Sequence, residues 1–390
     1  MVGTSNSNKR ILFLRSNPVN PDPRVEKEVD TLLNEGYKVD ILCWDREADY
    51  QTQKDSLKLE HGQCCVFRVG IKASFSGGFK KNIKPLLSFQ QQITTFIKKN
   101  HSKYVAVHAC DFDTAFAAYR ATRRTSTKLV YDIFDYYADA FSVPKSLRKL
   151  VISLDTHVIN HADGVIICSE QRREQISSAH PQKLTVIHNA PPVVLFDYDP
   201  RENEVQRLRI AYVGVLSEGR MIPELLEVIS QNEQCYELHI AGFGILEPLV
   251  KQYAEKFRNI IFYGKTEYAK TLEIENRADV LIALYDPAIA NHKYAAPNKF
   301  YESLMLGKPM VMCKGTGMAD LVKDYGIGVC IDYSKKSLVD GLSHINEHIP
   351  EYRSRSQYEK ELFKNNYSWE IMSERLTNLY FILVGEVTVH

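Results

Sequence analysis

Asn298, Lys299 and Glu302 lie in the segment Ala296-Pro-Asn-Lys-Phe-Tyr-Glu-Ser-Leu-Met-Leu-Gly-Lys-Pro-Met-Val311, at spacings that place all three on one face of a helix. Pro297 suits a first helical turn, Gly307 suits a C-terminal stop, and Pro309 forbids continuation. A carboxylate suits the two hydroxyls of a ribose and an ammonium suits a diphosphate, while the amides of the helix N-terminus add anion-binding donors. The same residues equally describe a capped helix packed by Phe300, Leu304 and Met305 with its polar groups in water. A second cation, Arg220, follows the apolar run Ala211-Tyr-Val-Gly214. A guanidinium can grip phosphate oxygens in pairs, although a loop arginine in water is the plainer alternative. Gly242 and Gly244 form a Gly-x-Gly turn after another apolar run, which is short of a full dinucleotide fingerprint. Tyr285 closes the run Val280–Leu284 at the carboxyl edge of a sheet, where open α/β sheets bind ligands.

These residues need a scaffold that brings strand ends together, and the apolar pattern supplies one. Short apolar runs at 11–14, 38–43, 65–69, 105–108, 128–131, 164–168 and 184–188 alternate with helical stretches at about 23–35, 83–99, 113–124, 144–161 and 169–178. The rhythm restarts near Leu208, with runs at 209–214, 236–241, 259–262, 279–284, 308–313 and 328–331. Such alternation means parallel sheets covered on both faces. A chain of 390 residues exceeds one ordinary core, so two domains follow. The prolines and acids of 191–203 read as their linker, and 367–383 as a closing amphipathic helix. With 44% hydrophobic and 25% charged residues the chain can bury a large core, and a net charge of +1 gives no reason to expect nucleic acid. Eight cysteines without paired ligand spacing fit a reducing compartment and no structural zinc. Asp111-Phe-Asp113 opens a helix after a strand, so capping explains it better than a metal does. No phosphate-binding Gly-x-x-x-x-Gly-Lys-[Ser/Thr], hydrolase Gly-x-Ser-x-Gly or zinc His-Glu-x-x-His run is present.

Pro-Asn-Lys-x-x-Glu followed by Leu-x-Leu-Gly-Lys-Pro resembles the donor-site helix of family 4 glycosyltransferases. The resemblance implies an α/β protein of GT-B architecture. Two Rossmann-like domains with parallel sheets would face each other across a cleft, and the C-terminal helix would cross back to the N-domain. The expected division is 1–192, with the helix at about 370–390, for the acceptor domain and 193–369 for the nucleotide-sugar domain. The resemblance further implies a retaining enzyme that uses a nucleoside-diphosphate sugar and no metal or other cofactor. Glu302 would hold the ribose, Arg220 and Lys299 the diphosphate, and Gly214, Gly242, Gly244, Lys265, Tyr285 and Asn298 would complete the donor site. Two departures stand out: Val215 occupies the place of a usual arginine, and Tyr294 the place of a usual second glutamate. In the N-terminal half, Asn17, Arg24, Asp132 and Asn189 are expected at the cleft. Phe134 stands where many relatives have a histidine, which leaves Asp135, with Arg220 and Lys299, as the candidate catalytic groups.

Between Lys72 and Lys128 eleven Lys/Arg face only two acids, Asp111 and Asp113. The stretch could dock on anionic lipid, or its helix could simply pack Leu86, Phe89, Ile93, Phe96 and Ile97 on a core beneath solvated lysines. The N-terminus lacks an apolar leader and no run suits a membrane span. The expected location is therefore cytoplasmic, possible docking on the inner face of the cell membrane included. The resemblance gives a glycan or lipid-linked acceptor, in synthesis of a surface polysaccharide or glycolipid. The alternatives are a non-hydrolysing nucleotide-sugar epimerase and a non-catalytic nucleotide-sugar-binding protein.

Overall fold

Runs of aliphatic residues bounded by glycine and polar turns form two separate sheets in the computed structural model, which describes residues 9–74, 78–141, 143–194 and 207–385. The expected linker falls mostly outside these residues, as do the polar N-terminal octet and the side chain of Lys80. The chain divides into a first unit of 1–188 with 372–390 and a second of 189–371.

Among its described residues the first unit holds eight strands: β1 (Arg10–Arg15), β2 (Lys38–Asp45), β3 (Tyr50–Lys58), β4 (Gln63–Gly70), β5 (Ala106–Cys110), β6 (Lys128–Ile133), β7 (Gly164–Ile167) and β8 (Leu184–Val186). Their order is β3-β4-β2-β1-β5-β6-β7-β8. All neighbours are parallel except β3, which runs antiparallel to β4 at the edge. Ile11, Leu12, Phe13 and Leu14 are all fully buried, as expected for a parallel strand covered on both faces. Phe89, Ile93 and Ile97 are also fully buried, on the helix Gly78–Asn100. That helix spends its apolar stripe on the core, leaving Lys81, Lys84, Lys98 and Lys99 outward with Leu87.

The second unit is a six-stranded sheet of β9 (Leu208–Val215), β10 (Tyr236–Phe243), β11 (Ile260–Phe262), β12 (Val280–Ala283), β13 (Met310–Cys313) and β14 (Gly328–Ile331). The order is β11-β10-β9-β12-β13-β14 and every pairing is parallel. The strand order reverses beside β9, next to β12, and such switch points open a crevice at the carboxyl edge.

The closing helix Trp369–Val384 packs on the first unit. Its Tyr380 is fully buried, and its hydroxyl lies 2.9 Å from Nδ1 of His108 on β5. Behind His108 sits a buried ionic network. Arg24 donates to Asp132 at 2.8 Å and to Glu28 at 3.1 Å. Burial opposes charge on Asp132, but Arg24 outweighs it and holds that carboxyl below its usual value. Burial and the neighbouring Asp132 push Glu28 well up, and burial pushes His108 down. One cation, one anion and two neutral partners thus form a balanced set, as charges in a low-dielectric interior require.

Replacing Tyr380 with Phe removes one hydrogen bond and leaves a buried imidazole nitrogen without it. The expected cost is about 1–2 kcal/mol, read from the urea midpoint of the first unit. A variant as stable as wild type would show that the contact contributes nothing.

Candidate functional site

In the second unit, the helix Asn298–Leu306 starts behind Pro297 at its N-cap and ends at Gly307, whose φ of 63° is the left-handed conformation that closes a helix. Phe300, Tyr301 and Leu304 are fully buried beneath it, which fixes its rotation. Its first turn faces the end of β9, and the two enclose a recess of about 280 Å³ lined by Tyr212, Gly214, Arg220, Tyr285, Asn298 and Lys299 among others. Five of the residues singled out in the sequence therefore meet at the carboxyl edge of this sheet, beside the switch point: Gly214, Arg220, Tyr285, Asn298 and Lys299. Asn189 joins them, its amide 3.4 Å from the Asn298 side chain.

Arg220 lies with its guanidinium carbon 3.9 Å from the centre of the Tyr285 ring, a cation–π contact. Its Nε is buried and has no hydrogen-bond partner among the described residues. His292 packs against Tyr285 in a tilted arrangement with ring centres 5.0 Å apart, and burial, then the charge of Arg220, lowers its basicity. A neutral imidazole beside it leaves Arg220 as the cation of the recess.

Lys299 occupies a different position from a simple phosphate ligand. Its ammonium is 2.6 Å from Glu302 and 2.9 Å from Glu275, which lies on the helix Tyr268–Arg277. Glu302 is 1% exposed and Glu275 fully buried. Burial opposes the charge of Lys299, but the two carboxylates outweigh it and push its basicity up. The Tyr268 hydroxyl also bonds Glu302, and burial followed by the charge of Glu302 pushes that phenol up. Lys299 thus fixes the Glu302 carboxylate rather than standing free with Arg220 as a second phosphate cation. Glu275, Tyr268 and His292 were missed in the sequence because each reaches the site from another element, with no spacing to announce it.

Gly242 and Gly244 have a packing role. A Cβ on Gly242 would lie 1.8 Å from the Gly214 oxygen, and one on Gly244 would lie 2.3 Å from the Leu216 oxygen. The glycines are demanded by the close approach of the chain after β9, and the expected ligand turn needs no separate account. Lys265 stands over the Phe243 ring at 5.2 Å, outside the recess.

At the carboxyl edge of the first sheet the expected residues separate. Arg24 and Asp132, expected at a cleft, are 5% and 0% exposed and belong to the buried network described above. Asp22 caps the helix Pro23–Asn34, accepting from Val25 N. Asn17 donates to Asp22 at 2.7 Å and receives Val19 N, so it ties the loop rather than a ligand. Asp111 departs from the capping reading: it has φ 64° and makes no side-chain cap bond. Its carboxylate instead accepts from Phe134 N and Asp135 N at 3.0 and 3.1 Å and pairs with Arg15 at 2.6 Å. Burial, countered by Arg15, pushes Asp111 up to about 7. Phe134 is flanked by the guanidiniums of Arg15 and Arg24 at 4.3 and 4.1 Å. Asp135 is half-exposed and 2.9 Å from Arg172, the one acid of the original candidates here that faces outward.

Among the described residues Glu28, His108 and Asp132 bring three ligand-type atoms together. The Arg24 guanidinium already binds two of these side chains, so a dication there would meet a fixed positive charge. Asp30, Glu60 and His61 cluster at the surface, where His61 pairs with Asp30 at 2.7 Å.

The two units together have the GT-B fold of glycosyltransferases. Residues 21–190, within the first unit, are similar to the glycosyl transferase 4-like domain. No curated protein matches the sequence. The structure resembles sucrose-phosphate synthase from Thermosynechococcus elongatus with a TM-score of 0.74 at 15% identity, covering 96% of this chain and 99% of that one. It also resembles Anabaena HepE in complex with UDP, at 0.66 and 14% over 95% and 98% of the two chains. The E. coli trehalose-6-phosphate protein bound with UDP-2-fluoro glucose gives 0.69 and 9% over 96% and 99%. At these identities the likeness is one of fold. No helix among the described residues is long and apolar enough to cross a membrane.

Glu275 carries a pH signature. Burial first, then the charge of Glu302, pushes it from 4.5 up to about 8 against the pull of Lys299. Folding therefore favours its protonated form, and this contribution is full below the unfolded value and lost as pH rises through that window. Between about pH 5 and 8 wild type should lose more stability than Glu275→Gln, by up to about 1.4 kcal/mol per pH unit. Parallel losses in urea titrations of the two proteins would mean that Glu275 stays ionised.

Proposed function

We propose that this protein is a retaining glycosyltransferase that moves a sugar from a nucleoside-diphosphate sugar to a glycan or lipid-linked acceptor, in synthesis of a surface polysaccharide or glycolipid. The observation that carries this reading is the recess at the carboxyl edge of the second sheet. There Arg220 and the amides opening the helix Asn298–Leu306 converge, and Lys299 of the lining holds the buried carboxylate of Glu302 one turn further along that helix. Glu302 would accept from the ribose hydroxyls once the Tyr268 hydroxyl gives way. Arg220 and the helix amides would meet the diphosphate, whose growing charge on departure is the largest electrostatic demand of the reaction. Lys299 would act as a positioning residue. Relatives in fold that hold UDP or a UDP-sugar support a uridine nucleotide as the first donor to try.

The first unit would present the acceptor from the edge formed by Asp135, Arg15 and the ends of β2 and β4. In a retaining transfer the acceptor hydroxyl approaches on the face that the diphosphate leaves. The departing phosphate oxygen can take its proton, so no metal is required. Incubation with a panel of sugar nucleotides tests the activity through slow release of free nucleoside diphosphate. Absence of release with every donor, with or without a crude glycan acceptor, would overturn it.

Arg220→Ala and Glu302→Ala should each weaken nucleotide binding by roughly ten- to a hundredfold, the usual cost of losing charged hydrogen bonds. Lys299 keeps Glu275 as a partner in the Glu302 variant, so folding should survive. Calorimetry on the folded variants decides, and unchanged affinity in both would sink the donor assignment.

Transfer should persist in excess EDTA. Loss of turnover in chelator with recovery on adding manganese would transfer the charge-stabilising role from Arg220 and the helix amides to a metal.

A further inference from the structure

A second recess, of about 580 Å³, opens in the first unit and is lined by Arg46, Glu47, Lys72, Ala73, Ser74, Lys81, Asn82 and Pro85. Three cations meet one acid there. The recess lies at the carboxyl ends of β2 and β4, because Arg46 follows β2 and Lys72 follows β4, and these strands are parallel neighbours. This is the edge that also carries Arg15, Asp111 and Asp135.

The walls are built rather than loose. Beyond the strands the ladder continues, with Ile71 N donating to Asp45 O at 3.0 Å and Ala73 N to Arg46 O at 2.9 Å. Asn82 exchanges two hydrogen bonds with the Ser74 backbone at 3.1 and 2.6 Å, which ties the loop to the helix bearing Lys81. Arg46 is held on two sides. Its Nε donates to Ser16 O at 3.1 Å and its guanidinium lies 4.2 Å from the Trp44 ring centre. Trp44 is in turn fixed by a 2.8 Å bond from its Nε1 to Ile71 O and by stacking on Phe89. Neither Lys72 nor Lys81 has an ion-pair partner among the described residues. Burial lowers the basicity of Arg46, with Asp113 pulling the other way.

Three like charges gathered into one concavity repel one another, and a polyanion relieves that repulsion. Arginine offers paired donors to phosphate oxygens, and two lysines on separate elements can reach the remaining oxygens. A single carboxylate ligand would leave most of this charge unmatched, whereas a phosphate ester or diphosphate carries two or more negative charges. Arg46 also reaches back to Ser16, at the end of β1, where the acceptor edge begins.

We propose that this recess holds the phosphate or diphosphate ester of a phosphorylated acceptor. Calling the ligand an acceptor rests on the glycosyl-transfer reading above; the anion site itself does not. Inorganic phosphate is the probe, titrated by calorimetry into the full chain with UDP present in excess to occupy the other unit. Phosphate should bind wild type and bind Arg46→Gln about tenfold more weakly, the low end of the loss expected for charged hydrogen bonds. Because Arg46 packs on Trp44, the exposed pair Lys72→Gln/Lys81→Gln serves as a second variant. It should also weaken phosphate several-fold, with an unchanged melting temperature. A parallel arm replaces phosphate with phosphatidylglycerol vesicles. Absence of phosphate binding to wild type, equal binding by the Lys72→Gln/Lys81→Gln chain, or binding to vesicles alone would each overturn the proposal. UDP affinity measured on the same proteins judges the donor site separately, since all three cations lie in the first unit.

Discussion

A parallel sheet must be covered on both faces, and that requirement shapes everything else in this chain. Each strand needs a crossover to return to the same end, so helices take the faces and the carboxyl edge is left to loops. Polar groups can gather only at that edge or inside balanced networks. Both solutions occur. The second unit collects Arg220, Asn298 and Lys299 at the edge beside its switch point. The first unit buries Arg24, Glu28, His108 and Asp132 as a compensated set beneath its closing helix.

The two buried carboxylate–cation groups have the same arithmetic. Arg24 faces one ionised partner, Asp132, because Glu28 is held protonated by its surroundings. Lys299 faces Glu302 and Glu275, and there too burial holds one carboxyl, Glu275, toward its neutral form. In both places a pair of acids shares one cation, and low dielectric decides which acid gives up its charge. The consequence for the recess is that Lys299 is committed to its carboxylates before any ligand arrives, which leaves Arg220 as the available cation.

Much of the fold was legible because burial on both faces writes continuous apolar runs into the sequence. The donor-site helix was legible too, since Pro297, Gly307 and Pro309 mark its ends. β3 was not. Its residues Tyr50–Lys58 are almost all exposed, so an antiparallel edge strand left no apolar signal. The expected helix over 169–178 is instead a short 3₁₀ turn at Glu170–Arg173 followed by looser turns, with Arg172 drawn inward to Cys168 and Asp135. Site chemistry was legible only where residues share one element. Asn298, Lys299 and Glu302 do, whereas Glu275 and Tyr268 approach from another helix. Arg24 and Asp132 were misplaced because a strand-end position looks the same in sequence whether its side chain turns toward solvent or into the core.

The closing helix carries a consequence for how the protein is made. Its residues from Met372 onward belong to the first unit, yet they are synthesised after the whole of the second. On the ribosome the first sheet must therefore wait, with the His108 face of β5 uncovered, while some 180 residues of another unit emerge. The second unit is continuous in sequence from Asn189 to Ile371 and faces no such delay. The half of the chain made first is thus completed only after the second unit has been made.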